Sequence, residues 1–464
     1  MSKQKKQHRL RQKARAGPPL GNLDGVLSSD EQVVLAEALR TRPPKAVRVR
    51  LPKAHGPASD GFLPFSAEPV PWYPDGFFCS EIHQPGRFLE YAAGAYFIQD
   101  AGSMLALRLL DVQPHEWVAD VCAAPGAKAS AILEQVGPGS GFLLANEPIR
   151  GRVPALEFNL ARVGFPRYCV TIKDPERLDS QWIQQFDAVL VDAPCTGQML
   201  VGRGKQSFAA FSKSQVTHSA ARQQRIVSAA AQLVRPGGRL VYSTCTFAPD
   251  ENEDVIKTFL ATHDGWCVET VPELQQWQTP RSPGGYRLYP HRDQCAGAYA
   301  VRLRLKGEPF LDHIKMSKRE MQKDLLVLGE ETVGSTQAGY RIQQANRWTE
   351  LPMDIERHLE MPCGRHSEIA YRPAKHWLPS HALALRRDEY WRPCATHELS
   401  DHEAKNFMQG LSLSAGPHGW VVATWRGHPL GWLRGNKERL NNRLPAAARL
   451  GFVPLSSSLG KESL

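Results

Sequence analysis

Two cysteines stand in short contexts suited to covalent chemistry, Asp192-Ala-Pro-Cys195-Thr196 and Ser243-Thr-Cys245-Thr-Phe247. Each follows an apolar run, 186–191 and 239–242, with the length and composition of a buried strand. A thiol leaving the end of such a strand lies where an open α/β sheet assembles its ligand crevice. A thiolate that adds to carbon 6 of a cytosine ring turns the ring into an enamine, and carbon 5 can then attack an electrophilic methyl group. An acid must bond or protonate ring N3 as charge develops there, and Asp192, three residues before Cys195, is spaced for that. A second group near the adduct must help remove the carbon 5 proton and promote elimination, which gives the other cysteine a task. One such cysteine alone would read as a small core residue, because free cysteine is among the most buried types. Two at strand ends of one sheet, one beside an acid, argue for chemistry.

A third segment of the same kind lies upstream. Asp120-Val-Cys122-Ala123-Ala124-Pro125-Gly126-Ala127-Lys128 follows the apolar run 117–121. Its small residues let backbone amides approach a ligand, while the helix that follows presents unpaired amides of its own. Neither a P-loop nor the G-x-G-x-x-G fingerprint is present. Glu147 ends the next strand, where a carboxylate can accept hydrogen bonds from both ribose hydroxyls. Asp174 follows the strand after that and suits an adenine amino group. Singly, each acid is an ordinary strand-end cap. In series at successive strand ends they read as a binding edge.

These residues need a sheet to position them. Strands are expected at 117–121, 141–146, 168–172, 186–191 and 239–242, alternating with helices, so the pairing should be parallel with helices on both faces of an α/β sheet. The clearest helix carries Ile226, Val227, Ala230, Leu233 and Val234 on one face, with Pro236-Gly237-Gly238 as its stop. Later, Tyr299, Val301, Leu303 and Leu305 alternate with Ala300, Arg302, Arg304 and Lys306, which predicts an edge strand with a basic, wet face. Runs at 419–425 and 429–433, joined by Arg426-Gly427, read as a hairpin in a compact β-rich C-terminal unit.

A chain of 464 residues implies two to four domains. Lysine and arginine outnumber acids 57 to 47, for a net charge of +10, which points toward a polyanionic partner such as nucleic acid. Nine cysteines without the spacing of a disulfide framework suggest a reduced cytosolic protein. No apolar run has the length of a membrane span. Residues 1–19 hold seven lysines and arginines and no acid, and read as a disordered basic arm able to touch phosphates.

The segments Asp120 to Lys128, Asp192 to Cys195, Gln223 ahead of Ile226, Pro236-Gly-Gly238 and Tyr242-Ser-Thr-Cys-Thr246 together resemble the NOL1/NOP2/Sun family of RNA cytosine-5 methyltransferases. The likeness spans about 88–306 and includes Tyr96-Phe-Ile-Gln-Asp100 and Ala296-Gly-Ala-Tyr-Ala-Val-Arg302. It implies a Rossmann-like domain that binds S-adenosylmethionine through Cys122, Ala123, Ala124, Pro125, Gly126, Ala127, Lys128, Glu147, Asp174 and Asp192. By the same likeness Cys245 is the nucleophile, Cys195 assists release of the methylated base, and no metal is needed. The segments 419–422, 429–432 and 440–445 resemble the PUA-like domain of the small-subunit ribosomal RNA methyltransferases of the F type. There Lys437, Arg439 and Arg443 beside Trp432 would make a platform for phosphate and base.

The resulting expectation is a basic arm at 1–19, an N-terminal RNA-binding extension at 20–90, a Rossmann-like methyltransferase domain at 91–310, a linker region at 311–375 and a PUA-like RNA-binding domain at 376–464. The expected reaction is methylation of carbon 5 of a cytidine in 16S ribosomal RNA. The partner would be ribosomal RNA or the small subunit in the cytoplasm, with no membrane and no obligate protein partner. The alternatives are a transfer RNA substrate, or a non-catalytic RNA-binding assembly factor, against which the complete set of Cys195, Cys245, Asp192 and Glu147 argues. The chain departs from the family pattern at Ala127, where a second glycine is usual, at Ala129-Ser130, at Arg50 in place of an asparagine, and at Val201 to Lys205. Cys363, His366, Cys394 and His397 have ligand-like spacing, but nothing in the resemblance supports a zinc site, and they read as incidental.

Overall fold

The computed structural model describes residues 20, 23, 25–50, 63–80, 84–281, 285–308, 323–328, 331–337, 339–352, 364–414, 416–436 and 438–451. The expected basic arm, Cys363 and Lys437 lie outside them.

An N-terminal unit opens with the helix Ser29–Ala38, whose start is set by a capping box between Ser28 and Glu31. Strands β1 (Lys45–Val49), β2 (Ala67–Pro69), β3 (Gly76–Cys79) and β4 (Tyr96–Ile98) form an antiparallel sheet in the order β2-β3-β1-β4. Arg48 of β1 is buried and reaches the helix Ala127–Val136, donating to Ser130 Oγ at 3.1 Å and pairing with Glu134, while its Nε donates to Gln99 at 3.0 Å. This ties the extension to the helix that follows the ligand loop.

The central sheet contains β5 (Trp117–Asp120), β6 (Phe142–Asn146), β7 (Tyr168–Thr171), β8 (Phe186–Asp192), β9 (Val234–Thr244), β10 (Trp266–Val268), β11 (Tyr286–Leu288) and β12 (Ala298–Leu305). Its order is β10-β12-β9-β8-β5-β6-β7, with β11 also paired to β12. The strands β5 to β8 are buried almost throughout, as continuous apolar runs must be when helices cover both faces. The helices Ala101–Leu110, Ala127–Val136 and Val153–Ala161 cover one face, and Lys213–Ala231 and Glu253–Thr262 cover the other. Chain direction across the sheet reverses at β5, which pairs in parallel with β6 on one side and β8 on the other. That switch point is where the loops after β5, β8 and β9 meet.

The five strands expected to pair in parallel do so, from β7 to β9. Two other expectations change, because β12 runs antiparallel to β9, β10 and β11 and the helix before β9 ends early. Accordingly β12 is not an edge strand, and its basic face is partly covered, with Arg302 and Arg304 both bonded to Glu269. Finally, the helix ends at Ala231, ahead of Pro236-Gly-Gly238. Leu233 and Val234 leave the helix because Phe186 recruits them: its amide donates to Leu233 O at 3.1 Å and Val234 pairs with it in the sheet. The Pro-Gly-Gly stretch then forms an irregularity inside β9, where Gly237 takes φ +74°.

Residues 323–371, which read as a linker, form strands β13 (Lys323–Leu328), β14 (Glu331–Gln337), β15 (Gly339–Gln344), β16 (Arg347–Pro352) and β17 (Ser367–Tyr371). Leu326, Val333 and Ile369 share a core with Trp391, Trp420 and Trp432 from the C-terminal part. Trp432 is therefore an interior residue, 2% exposed with its Nε1 donating to Ser380 O at 2.7 Å, and not a platform for a base. The hairpin forms as expected, from β18 (Gly419–Trp425) and β19 (His428–Gly435).

One buried ion pair bears directly on the cysteine loops. Arg287 of β11 donates to both carboxylate oxygens of Glu253, at 2.7 and 2.6 Å, and to Phe247 O at 2.9 Å, two residues past Cys245. Both side chains are at most 3% exposed. Arg287→Ala would strand a carboxylate in the interior, so it should cost about 3–5 kcal/mol in chemical denaturation; a loss below about 1 kcal/mol would mean that the pair does not hold this loop.

Candidate active site

The loop after β5 is shaped by its own backbone bonds. Ala123 N donates to Asn146 O at 2.8 Å, Ala124 N to Glu147 Oε2 at 3.3 Å and Cys122 N to Asp120 Oδ1 at 3.3 Å. Gly126 adopts φ +108°, and a Cβ there would lie 3.1 Å from the Asn159 Cβ, so both conformation and space require glycine. Ala127 begins the helix, so the alanine that replaces the usual glycine sits in a conformation open to any L-residue. No side chain caps that helix, which leaves its first amides to a ligand.

Asn146 joins three strand ends: its Nδ2 donates to Val121 O and Lys173 O, and its Oδ1 accepts from Thr171 Oγ1 and Lys173 N. Sequence reasoning passed over it, although a buried asparagine at the end of an apolar strand is a usable signal. Glu147 is 1% exposed, accepts from Ile149 N at 2.9 Å and pairs with Arg152 at 3.2 Å. Asp174 is exposed and caps the short turn Pro175–Arg177 by accepting from Glu176 N at 3.1 Å.

Asp192, at the end of β8, accepts from Ser243 Oγ at 2.8 Å and from Lys128 Nζ at 2.7 Å. Burial lowers the Lys128 pKa, but the charge and hydrogen bond of Asp192 together with Asp120 and Cys245 raise it by more, so Lys128 keeps its proton. Asp120 shows the opposite case. Burial and the neighbouring Asp192 carboxylate push its carboxyl up to about 7.

The two thiols meet. Cys195 Sγ lies 3.2 Å from Cys245 Sγ, and Cys245 N donates to Cys195 Sγ at 3.4 Å. The hydrogen bond to Cys245, followed by burial, pushes the Cys195 thiol well above its usual range. Cys245 opens into a cavity of about 110 Å³ that also receives Asp100, Lys128, Asp192 and Arg203. Asp100 pairs with Arg203 and accepts from Ala296 N at 3.4 Å, so the outlying segments 96–100 and 296–302 arrive at this cavity too. Cys195 borders a second, open groove of about 330 Å³ lined by Thr196, Gln206, Ser214, Gln215 and His218.

Beneath both thiols lies Glu251, which the sequence reading did not single out. It is fully buried and accepts from Thr196 N at 2.9 Å, Thr196 Oγ1, Thr246 Oγ1 at 3.1 Å and Gln223 Nε2 at 2.9 Å. Gln223 also donates to Pro194 O at 3.0 Å.

Among the described residues no group of three or more His, Cys, Asp or Glu gathers as metal ligands. His366 is buried with its Nδ1 3.3 Å from Tyr168 O, and Cys394 is exposed. No helix among them is long and apolar enough to cross a membrane.

The donor set fits S-adenosylmethionine. Uncapped helix amides suit a carboxylate, and three acids around one loop, one of them raised to about 7 by burial and the nearby Asp192 carboxylate, suit a cationic group. Fold and site define a Rossmann-like methyltransferase with S-adenosylmethionine as its cofactor. The model of 16S rRNA methyltransferase RsmB/F matches residues 107–304, that of the N-terminal domain of 16S rRNA methyltransferase RsmF matches 23–101, and that of the methyltransferase RsmF PUA domain matches 394–450. Ribosomal RNA small subunit methyltransferase F of Salmonella paratyphi A (strain ATCC 9150 / SARB42) is 33% identical over 417 residues, 82% of this chain and 84% of its own. The same-named protein of Enterobacter sp. (strain 638) is 29% identical over 408 residues, 81% and 83% of the two chains. A methyltransferase homolog protein from Pyrococcus horikoshii superposes with a TM-score of 0.51 at 25% identity, over 62% of this chain and 98% of its own. The chain belongs to the ribosomal RNA small subunit methyltransferase F family.

Because the folded state disfavours ionised Asp120, it binds more protons than the unfolded chain between the ordinary carboxylate range and about 7. Stability from this group falls as pH rises through that window and is level above it. Asp120→Asn should remove this part of the decline, seen as a gain in melting temperature over the wild type that is larger at pH 8 than at pH 4. An equal difference at both pH values would count against the perturbed carboxyl.

Proposed function

We propose that the protein methylates carbon 5 of a cytidine in 16S ribosomal RNA through a covalent bond between Cys245 and carbon 6 of the base. The observation that carries this reading is the contact of two sulfurs, 3.2 Å apart, at the wall of a cavity that also holds the Asp192 carboxylate. Ribosomal RNA is the substrate because the relatives that align along most of the chain are named for it. Extrusion of the target base into the cavity brings its ring to the thiol.

Lys128 stands as a fixed positive charge beside the cavity into which Cys245 opens, and the Cys195 and Cys245 sulfurs share a hydrogen bond. The Cys245 sulfur forms a bond to carbon 6 as N3 takes up a proton from solvent, and the Asp192 carboxylate accepts a hydrogen bond from that N3–H; the proton returns to solvent when the adduct breaks down. The cofactor, when bound, supplies the electrophilic methyl group. Release then requires that the carbon 5 proton leave and the carbon 6–sulfur bond break, which restores the aromatic ring and the Cys245 thiolate.

Cys195, 3.2 Å from the Cys245 sulfur, is the base at that stage. Its hydrogen bond to that sulfur, then burial and the Glu251 charge, hold its proton. The bond to carbon 6 removes the first of these, and Cys195 passes its proton toward the open groove as it takes the one from carbon 5. One proton goes to solvent for each methyl transferred, so the cycle balances.

Cys245→Ala should abolish both adduct and methylation, whereas Cys195→Ala should accumulate a covalent RNA adduct visible as a slow band on denaturing gels. Bisulfite mapping of 16S ribosomal RNA from cells with and without the gene tests the substrate. Full turnover by the Cys245 variant would overturn the chemistry, and a site found only in transfer RNA would overturn the substrate.

A further inference from the structure

We infer that Glu251 is a positioning residue which, by binding the threonine after each active-site cysteine, fixes the contact between the Cys195 and Cys245 sulfurs. The two cysteine motifs share a feature that the chemistry does not require: each thiol is followed directly by a threonine, Thr196 and Thr246. Both hydroxyls bond to the same oxygen, Glu251 Oε1, and they lie 3.1 Å from each other. The other oxygen, Oε2, accepts from Thr196 N and Gln223 Nε2, both at 2.9 Å. One buried carboxylate therefore spans two loops that come from different strands.

The segment around it is itself held. Tyr242 Oη donates to Glu251 O at 2.7 Å, Asn252 Nδ2 donates to Thr246 O at 2.9 Å, and Thr244 Oγ1 donates to Asn252 Oδ1 at 2.5 Å. Gln223 closes the network from the helix Lys213–Ala231, because the same amide nitrogen also bonds the carbonyl of Pro194, the residue before Cys195. Each sulfur is thus one bond network away from Glu251. Among the described residues the two thiols bond to each other and, for Cys195 Sγ, to the Cys245 amide, so their separation is inherited from this support. A misplacement of about 1 Å at a reacting group costs on the order of a hundredfold in rate.

The arrangement distinguishes geometry from charge. A glutamine can reproduce it: the amide oxygen in the Oε2 place accepts the two N–H groups, and the amide nitrogen in the Oε1 place donates to both hydroxyls. An aspartate is one methylene short, and an alanine removes the acceptor that four donors share, leaving Thr196 N without a partner and the two hydroxyls with only each other. The carboxylate also raises the Cys195 pKa, so removing its charge on its own would make Cys195 more acidic and more reactive.

The experiment measures the sulfur contact without using the methyltransferase reaction. Wild type, Glu251→Gln, Glu251→Asp and Glu251→Ala are treated with diamide, a diazene that accepts two electrons and two protons as two thiols join in a disulfide. The Cys195–Cys245 cross-linked peptide is followed by mass spectrometry, with melting temperature and S-adenosylmethionine binding measured alongside. Glu251→Gln should close the disulfide within about threefold of the wild type and Glu251→Ala and Glu251→Asp about tenfold or more slowly, with cofactor affinity kept within about threefold. The slowing runs against the charge effect, which would speed the reaction. Closure of a folded Glu251→Ala protein at the wild-type rate would overturn the inference, as would a Gln variant as slow as Ala. Should the Glu251 variants fail to fold, Thr196→Val and Thr246→Val decide: each should slow closure several-fold, and wild-type rates in both would overturn it. The effect on turnover rests on the proposed cytidine chemistry. A wild-type protein that methylates no cytidine while the disulfide rates behave as described would remove that chemistry and leave the positioning role standing.

Discussion

Everything at the active site depends on the parallel register of β8 against β9. Asp192 stands opposite Ser243 across that pair, so the two loops leave the sheet side by side and in the same direction. Cys195 comes three residues beyond its strand-end partner and Cys245 two, and the sulfurs meet. A slip of one residue would turn alternate side chains to the opposite face and separate them. Burial protects the register: β8 is interior from Phe186 to Val191, and β9 from Gly238 to Thr244, so no alternative pairing keeps the apolar side chains covered.

Opposed charges set the local acid–base order. Asp192 holds the Lys128 ammonium at 2.7 Å and at the same time pushes protons onto Asp120. The same cluster therefore contains a fixed cation beside the cavity into which Cys245 opens and a carboxyl that is only half ionised near neutrality. Low polarity amplifies both effects, since Asp120 is buried and Lys128 nearly so, although Asp192 stays partly exposed. A cationic ligand entering here meets acids whose mutual repulsion it relieves.

The chemistry-bearing segments were legible because each is local: a strand, a small-residue loop and a cysteine written within ten residues of one another. The strand starts at Trp117, Phe142, Tyr168 and Phe186 followed from continuous apolar runs, which only sheets covered on both faces require. What escaped depends on distant partners. Val234 looks helical by spacing until Phe186 pairs with it. Arg302 and Arg304 look solvated until Glu269 is placed between them. Residues 323–371 alternate weakly and bury a few apolar side chains against tryptophans far along the chain, so no local pattern announces those strands. Asp174 is the reverse case, an acid at a strand end whose visible bond is the cap of the following turn.

Glu251 was illegible for the same reason, since its four donors come from three separate segments. An apolar residue would pack into this place without the desolvation cost that a buried carboxylate carries. Packing alone, however, restrains a loop along a surface, whereas hydrogen bonds restrain it at chosen atoms and in chosen directions. In the proposed cycle the two thiols touch in one step and act separately in the next, which calls for that finer restraint, because sulfur contacts are soft and the side chains are short. A saturated carboxylate beneath both loops meets the requirement with a single residue, and its cost falls on stability rather than on the reacting atoms.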